Sequence, residues 1–304
     1  MRESELLQHV FATAGAPTPD VPIPPGDDMA MVKFHDRPVL AAVDQIVGGR
    51  HVDLKRTPLE LVGRKAVTRS LSDVAAMAAK PVALMAAVTL PPDFGHDRAT
   101  ALFDAMRRTA QRYACPLVGG DIAVFRDAAS PLVCSVAVLA EPGPGGPVTR
   151  SGARPGDVIA VTGTLGGSLG ADGLGKHVTF EPRLAEAAGL AETLGRHLHA
   201  MIDISDGLGR DASHLAERSG AQIEIDAERI PCTEGVDWRR AMSDGEDYEL
   251  CFAADGTVPP RVGELPVTVV GRVVPRPGPD EPLVVVKAGP RTLDGTELGW
   301  EHRS

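Results

Sequence analysis

The sequence predicts an α/β (α+β) protein of two domains, and three observations carry that expectation. At 304 residues the chain is longer than one hydrophobic core ordinarily serves. Short apolar runs of strand length alternate along it with stretches of helical periodicity. Near the middle lies the densest Pro/Gly cluster, Glu141-Pro-Gly-Pro-Gly-Gly-Pro147, whose composition suits a linker. The expected domains are therefore 1–147 and 148–304.

In the first half, Leu6, Leu7, Val10 and Phe11 recur at helical spacing over Glu3–Thr13, and the Pro-rich Ala16–Pro25 ends that helix. Met29–Phe34 and Pro38–Val43 read as a hairpin around His35-Asp36-Arg37, which puts Asp44 at a strand end. Pro58 suits the first turn of a long helix reaching about Ala78, with Asp73 near its far end. A strand (Val82–Leu90), a helix (Asp97–Tyr113), a short strand leading to Gly119-Gly-Asp121 and a strand (Leu132–Ala140) follow. In the second half, Val158–Thr162, Gln222–Ile225, Tyr248–Ala253 and Val267–Val274 read as strands. Pro182–Ala200 and Leu208–Ser219 read as helices, and Gly163–Gly170 as a flexible connection.

Hydrophobic residues make up 43% of the chain and charged ones 24%, with a net charge of −10. That mix is globular, and its acidity argues against nucleic acid or an anionic membrane as partner. The longest apolar runs fall far short of the roughly 20 residues that span a bilayer. The N-terminus lacks a signal-peptide stretch, so the expected compartment is the cytoplasm. The four cysteines form no C-x-x-C pair and read as reduced core thiols.

The chemistry is carried by acids. Asp73 sits in the apolar run Thr68-Arg-Ser-Leu-Ser-Asp-Val-Ala-Ala-Met77, where a carboxylate is rarely buried without a partner. One reading makes Ser70 or Ser72 the cap of a helix that begins near Asp73. The other gains from repetition: Gly26-Asp27-Asp28, Val43-Asp44, Gly119-Gly120-Asp121, Asp203-Ile-Ser-Asp206-Gly207 and Asp244-Gly-Glu-Asp-Tyr248 mostly flank apolar strands. Taken singly, Gly26-Asp27-Asp28 suits a turn and Asp203 or Ser205 a helix cap. Jointly, so many acids suit a Mg²⁺-dependent phosphoryl-transfer site.

Other motifs are weaker. Gly166-Gly-Ser168-Leu-Gly170 fits G-x-S-x-G, but several residues separate Ser168 from the preceding strand, which is unlike a nucleophile elbow. That stretch lacks the Walker A and G-x-G-x-x-G patterns, although its backbone N–H groups could cradle a phosphate. No histidine spacing supports zinc. His51, after Gly48-Gly49, is placed to meet a substrate or simply to sit in an exposed loop.

The order of these motifs resembles the thiamine-monophosphate kinase family, within the superfamily of aminoimidazole ribonucleotide synthetase. The resemblance runs through Gly26-Asp-Asp28, Val43-Asp44 with His51, Gly63-Arg-Lys65 leading to Leu71-Ser-Asp-Val-Ala-Ala-Met77, and Gly119-Gly-Asp121. It continues through Thr149-Arg-Ser-Gly152 with Pro155-Gly-Asp157, Asp203-Ile-Ser-Asp-Gly207 and Gly245-Glu-Asp-Tyr-Glu-Leu250, with a tail at Gly299-Trp300-Glu-His302. It implies the two-domain aminoimidazole ribonucleotide synthetase-like fold, a homodimer formed by the first domains, and ATP-dependent phosphorylation of thiamine monophosphate by direct in-line transfer. It also implies Mg²⁺ on Asp27, Asp44, Asp73, Asp121, Asp203 and Asp206. ATP would meet Gly120, Asp121, Arg150 and Ser205, and the thiamine phosphate would meet His51, Glu246 and Trp300.

The chain departs from the family pattern at five places. Ala42-Val43 replaces a Ser-Thr pair before Asp44, Thr68-Arg69-Ser70 replaces Ala-Val-Asn, and Met77-Ala78 replaces Met-Gly. His177-Val-Thr-Phe-Glu-Pro-Arg183 keeps only part of a His-x-Arg-Pro-x-Pro-Arg motif, and Asp244 replaces a glycine. Another acceptor within the superfamily, or a nucleotide-binding regulator, is the alternative to the kinase.

Overall fold

The computed structural model describes residues 16–24, 26–35 and 37–300. The helix expected over 3–13 and the last two residues of the 299–302 tail lie outside them. Five strands form a first sheet in the order β1-β2-β5-β3-β4: β1 Ala30–Phe34, β2 Arg37–Val47, β3 Lys80–Leu90, β4 Leu117–Val124 and β5 Val133–Glu141. Helices α1 (Leu59–Ala76) and α2 (His96–Arg112) cover one face. Along β5, Cys134, Val136, Val138 and Ala140 are buried and alternate with half-buried residues, the period of two that a sheet with one covered face imposes. On the open face Val43, Val82 and Met85 stay exposed.

The two helices cross closely at Gly63, where a Cβ would lie 2.8 Å from both the Ala105 Cβ and the Leu102 carbonyl oxygen. Asp44 is not at a strand end, because β2 continues to Val47 with Asp44 paired to Val136. The Gly119-Gly120-Asp121 motif likewise lies inside β4 rather than after it.

The second sheet has eight strands: β6 Val158–Thr162, β7 Leu198–Asp203, β8 Gln222–Asp226, β9 Leu250–Ala254, β10 Arg261–Val262, β11 Leu265–Val274, β12 Val284–Ala288 and β13 Arg291–Asp294. Short α3 (Lys176–Thr179), α4 (Leu184–Leu194), α5 (Leu208–Ser219) and α6 (Trp238–Ser243) complete the chain. Strands β6, β7 and β9 are covered on both faces. Ile159, Val161, Ala200, Ile202, Cys251 and Ala253 join the core under α5, while Ala160, Met201, Leu250 and Phe252 pack with Leu190 of α4 and with Ala75 and Ala78 at the end of α1. Two-sided burial is why these strands read as continuous apolar runs. The second of these cores also docks the first half onto the second.

Two further expectations are corrected. The helix expected over 182–200 stops at Leu194, because Gly195 turns the backbone to φ +52 and Leu198–Asp203 then enters the sheet as β7. The strand expected from Tyr248 begins at Leu250, since Glu246 and Tyr248 take φ near +54 and +52, outside the β region. Helix α6 and strands β12 and β13 were not anticipated. All four cysteines are free, and among the described residues no helix is long and apolar enough to cross a membrane.

His214 on α5 gives the fold an acid-sensitive limb. Burial, reinforced by Arg150, Arg210 and Arg218, lowers its pKa from 6.5 to about 3. The unfolded imidazole therefore takes its proton first, so this contribution is complete above about pH 6.5 and is lost as pH falls toward 3. His214→Gln should reduce the drop in urea midpoint between pH 7 and pH 5. An unchanged drop would remove His214 from the account.

Candidate active site

Three carboxylates meet where the two halves join. Asp28 comes from the loop before β1, Asp73 from the last turn of α1 and Asp203 from the end of β7, and their oxygens lie within 4.8 Å of one another. Asp73 is not a cap. It stands at the C-terminal end of α1, where the helix dipole disfavours an anion. Ser70 Oγ donates to the Val136 carbonyl (2.8 Å) and Ser72 Oγ to Asp203 (2.5 Å) instead of capping. Burial, then Asp44, Asp203 and Asp28, push the Asp73 pKa well above the carboxylate range. Burial and Asp28 likewise raise Asp203 to about 7. Among the described residues the Asp73 carboxylate accepts no hydrogen bond, and an all-oxygen set of acids that repel one another fits a hard cation such as Mg²⁺.

Asp27 stands beside this cluster, and Asp28 enters it. Asp27 accepts from the Arg150 backbone N–H (3.0 Å), and its pKa rises to about 6 through burial and Asp28. The Arg150 guanidinium forks onto Asp28 at 3.0 and 2.9 Å. Asp44 is gripped by the Arg69 guanidinium at 3.0 and 3.1 Å.

Gly120 and Asp121 are apart from the cluster. The cross-strand row Asp44, Val136, Ala86, Gly120 puts Gly120 on the helix-covered face but at the far edge strand. A Cβ there would come within 1.9 Å of the Ala86 carbonyl oxygen, and its φ is +159. Asp121, paired with Ala87, points to the open face and is exposed.

Beside the carboxylates opens a cleft of about 480 Å³ lined in part by His51, Arg69, Ser205, Asp206, Glu246, Tyr248 and Trp300. Residues far apart in sequence are held there by backbone bonds. Glu246 N–H donates to the Ser205 carbonyl (2.7 Å), Tyr248 N–H to that of Ile204 (2.8 Å) and Trp300 N–H to that of Asp206 (2.8 Å). Asp211 of α5 accepts from the N–H groups of Ser205, Asp206 and Gly207 at 3.0 to 3.1 Å, which fixes that turn. His51 Nδ1 accepts from the Val47 N–H (2.9 Å), and burial, then Arg69, lowers its pKa to about 4.

Lys65 of α1 is wholly buried and reaches Glu246 (2.5 Å), the His51 carbonyl (2.9 Å) and His177 Nδ1 (3.0 Å). Burial would raise the Glu246 pKa, but His177 and Lys65 hold it down at about 2. The carboxylate facing the cleft is thus permanently charged at neutral pH. In the sequence Lys65 and His177 stand within motifs, and Tyr248 within a motif and an expected strand, with nothing that marks them as partners in one site. The usable signal for Lys65 was a lysine among apolar residues on the covered face of a helix. Neither Asp211 nor the Asp44–Arg69 pair was recognised.

In the glycine-rich connection the Gly166 and Gly167 N–H groups are already taken, by Asp247 (2.9 and 3.0 Å) and Asp244 (2.9 Å), and Ser168 is buried with its hydroxyl on Asp247 (2.5 Å).

The fold and this site define a class. The family model described as AIR synthase related protein, N-terminal domain, matches residues 26–141, and its C-terminal counterpart matches 154–281. Within that class, a Rhodopirellula baltica thiamine-monophosphate kinase is 34% identical over 86% of this chain and 86% of its own. The Escherichia coli K12 thiamine-monophosphate kinase is 31% identical over 99% and 98%. A solved structure of AaThiL complexed with AMPPCP and TMP superposes with a TM-score of 0.79 at 28% identity, covering 99% of this chain and 97% of that one. The chain belongs to the thiamine-monophosphate kinase family.

Lys65→Met should remove the counter-charge of Glu246 and cost about 3 kcal/mol, toward the low end for breaking a buried pair. Lys65→Met/Glu246→Met should regain much of it, because no charge is left unpaired. Urea unfolding at pH 7 reads both, and equal losses in the single and double variants would refute the coupling.

Proposed function

We propose that this protein transfers the γ-phosphoryl group of ATP directly to the phosphate of thiamine monophosphate, giving thiamine diphosphate. One observation carries the reading: His51, Glu246 and Trp300, the residues expected to face the acceptor, line the same cleft as Ser205 and Asp206, next to the three-carboxylate cluster. A thiazolium ring is a cation, and Glu246 offers it a fixed negative charge while Trp300 offers an aromatic face. Arg50, Arg56 and Arg240 line the cleft as well and supply charge for phosphate oxygens.

Mg²⁺ held by Asp28, Asp73 and Asp203 would neutralise the charge of the transferring phosphate. The chain's own contribution is positioning. Its backbone ties between 204–206 and 246–248 hold the two sides of the cleft in register, which is where rate comes from when no enzyme nucleophile is used. Ser168, the one serine in a nucleophile-like motif, is buried with its hydroxyl engaged by Asp247.

The two domains we assign are 1–147 and 148–304. A homodimer is supported by the open face of the first sheet and by its edge strand β4, where Val118, Ile122 and Val124 are exposed. Gly120 and Asp121 lie on that edge and would serve the nucleotide there. The four free cysteines fit the cytoplasm.

A saturating Mg²⁺–nucleotide complex, at about 100 times its dissociation constant, should stabilise the folded chain by about 2.7 kcal/mol. Asp73→Asn should abolish most of that while leaving the ligand-free protein folded. ADP release should require thiamine monophosphate. Normal nucleotide binding with no heat and no turnover at millimolar thiamine monophosphate would retain the fold and reject this acceptor.

A further inference from the structure

We propose that Arg69 is a built-in cation of this site: it occupies Asp44 in place of a metal and offers its remaining N–H groups to a phosphate oxygen in the cleft. The inference rests on the phosphoryl-transfer reading only for the identity of that anion. Nε and Nη2 of Arg69 take both oxygens of Asp44, at 3.0 and 3.1 Å, and Nη1 donates to the Gln45 carbonyl at 3.1 Å. This fork is a geometry that guanidinium satisfies and an ammonium does not. Both groups are largely withdrawn from solvent, with side-chain exposures of 15% and 25%, so the pair is screened little.

A hard cation asks for about six oxygen ligands. On its own strand Asp44 is offered few: Ala42 and Val43 carry no side-chain oxygen, Val43 projects to the open face, and the Gln45 carbonyl already accepts from Arg69, although Asp73 lies close enough to feel the Asp44 charge. Asp28 differs, although Arg150 forks onto it in the same way. Asp28 stays within 4.8 Å of two further carboxylates, and Asp44 is outside that group.

A guanidinium has five N–H donors; three are engaged here, and the side chain lines the cleft. Tyr248, in the same cleft, is buried with its hydroxyl lacking any hydrogen-bond partner. That hydroxyl lies close enough to Arg69 to feel its charge, and an unpartnered buried hydroxyl leaves hydrogen-bonding capacity on this side of the cleft.

The test counts metal directly. Mn²⁺ bound per chain is measured by electron paramagnetic resonance on the full-length protein with a non-hydrolysable ATP analogue and no thiamine phosphate. Asp44→Asn should bind as many Mn²⁺ ions as the wild type. Loss of an ion in Asp44→Asn would mean that Arg69 gives way to metal, and would overturn the proposal. In parallel, inorganic pyrophosphate is titrated calorimetrically in chelator. Arg69→Val should weaken it about tenfold, the loss of one charge-assisted hydrogen bond, and unchanged affinity would overturn the anion-binding half. Should Arg69→Val fail to fold because Asp44 is left unpaired, Arg69→Val/Asp44→Asn removes both partners and is read against Asp44→Asn. Failure of thiamine monophosphate to stimulate ADP release would leave both measurements intact, so an error in acceptor and an error about Arg69 are told apart.

Discussion

Mutual repulsion among Asp28, Asp73 and Asp203 is the constraint on which the rest of this structure turns. Each arrives from a different element, and their oxygens are held within 4.8 Å of one another where water is scarce. Burial first, and then nearby like charges with Asp44 among them, disfavour ionisation and displace Asp73 and Asp203 upward. The fold sustains the arrangement through packing elsewhere: Ala75 and Ala78, at the same end of α1 as Asp73, are buried against Leu190, Met201 and Phe252 of the second half. An interface that is apolar beside the site and acidic within it is what strain at a functional centre looks like.

Cations are distributed around this centre with different tasks. Lys65 is sealed in and serves Glu246, keeping one cleft wall negative. Arg150 serves Asp28 from the second half of the chain and so links the two sheets across the site. Arg69 lines the cleft and grips Asp44. The cleft lining is thus balanced, Arg50, Arg56, Arg69 and Arg240 against Asp53, Asp206, Asp244 and Glu246, while the carboxylate cluster contributes to the chain's net charge of −10.

The cleft itself depends on loops that ordinary propensities would not choose. Glu246 and Tyr248 adopt left-handed backbone conformations at φ +54 and +52, a cost that hydrogen bonds from their N–H groups to Ser205 and Ile204 offset. These same bonds bring Glu246 alongside Ser205. Positioning by a rigid frame suits a transfer whose chemistry asks little of the protein beyond geometry and charge.

Much of this was legible in the chain alone. The apolar period of α1 put Asp73 near its end, the Pro/Gly cluster at 141–147 separated two sheets, and the recurrence of acids drew attention to Asp73 and Asp203, two of the carboxylates that converge, because each is a local property of residue type and spacing. Sequence could not choose Asp28 over Asp27 for the cluster, since neighbouring residues point apart and only the path of the loop against Arg150 selects one. Nor could it send Asp121 to the open face, which depends on cross-strand register, or see that Leu198–Asp203 would be a strand once β9 lay beside it. The grip of Arg69 on Asp44 joins a helix to a strand 25 residues away. Composition and period are fixed residue by residue, whereas convergence of side chains is fixed by how packed elements cross, and only the tertiary structure decides that.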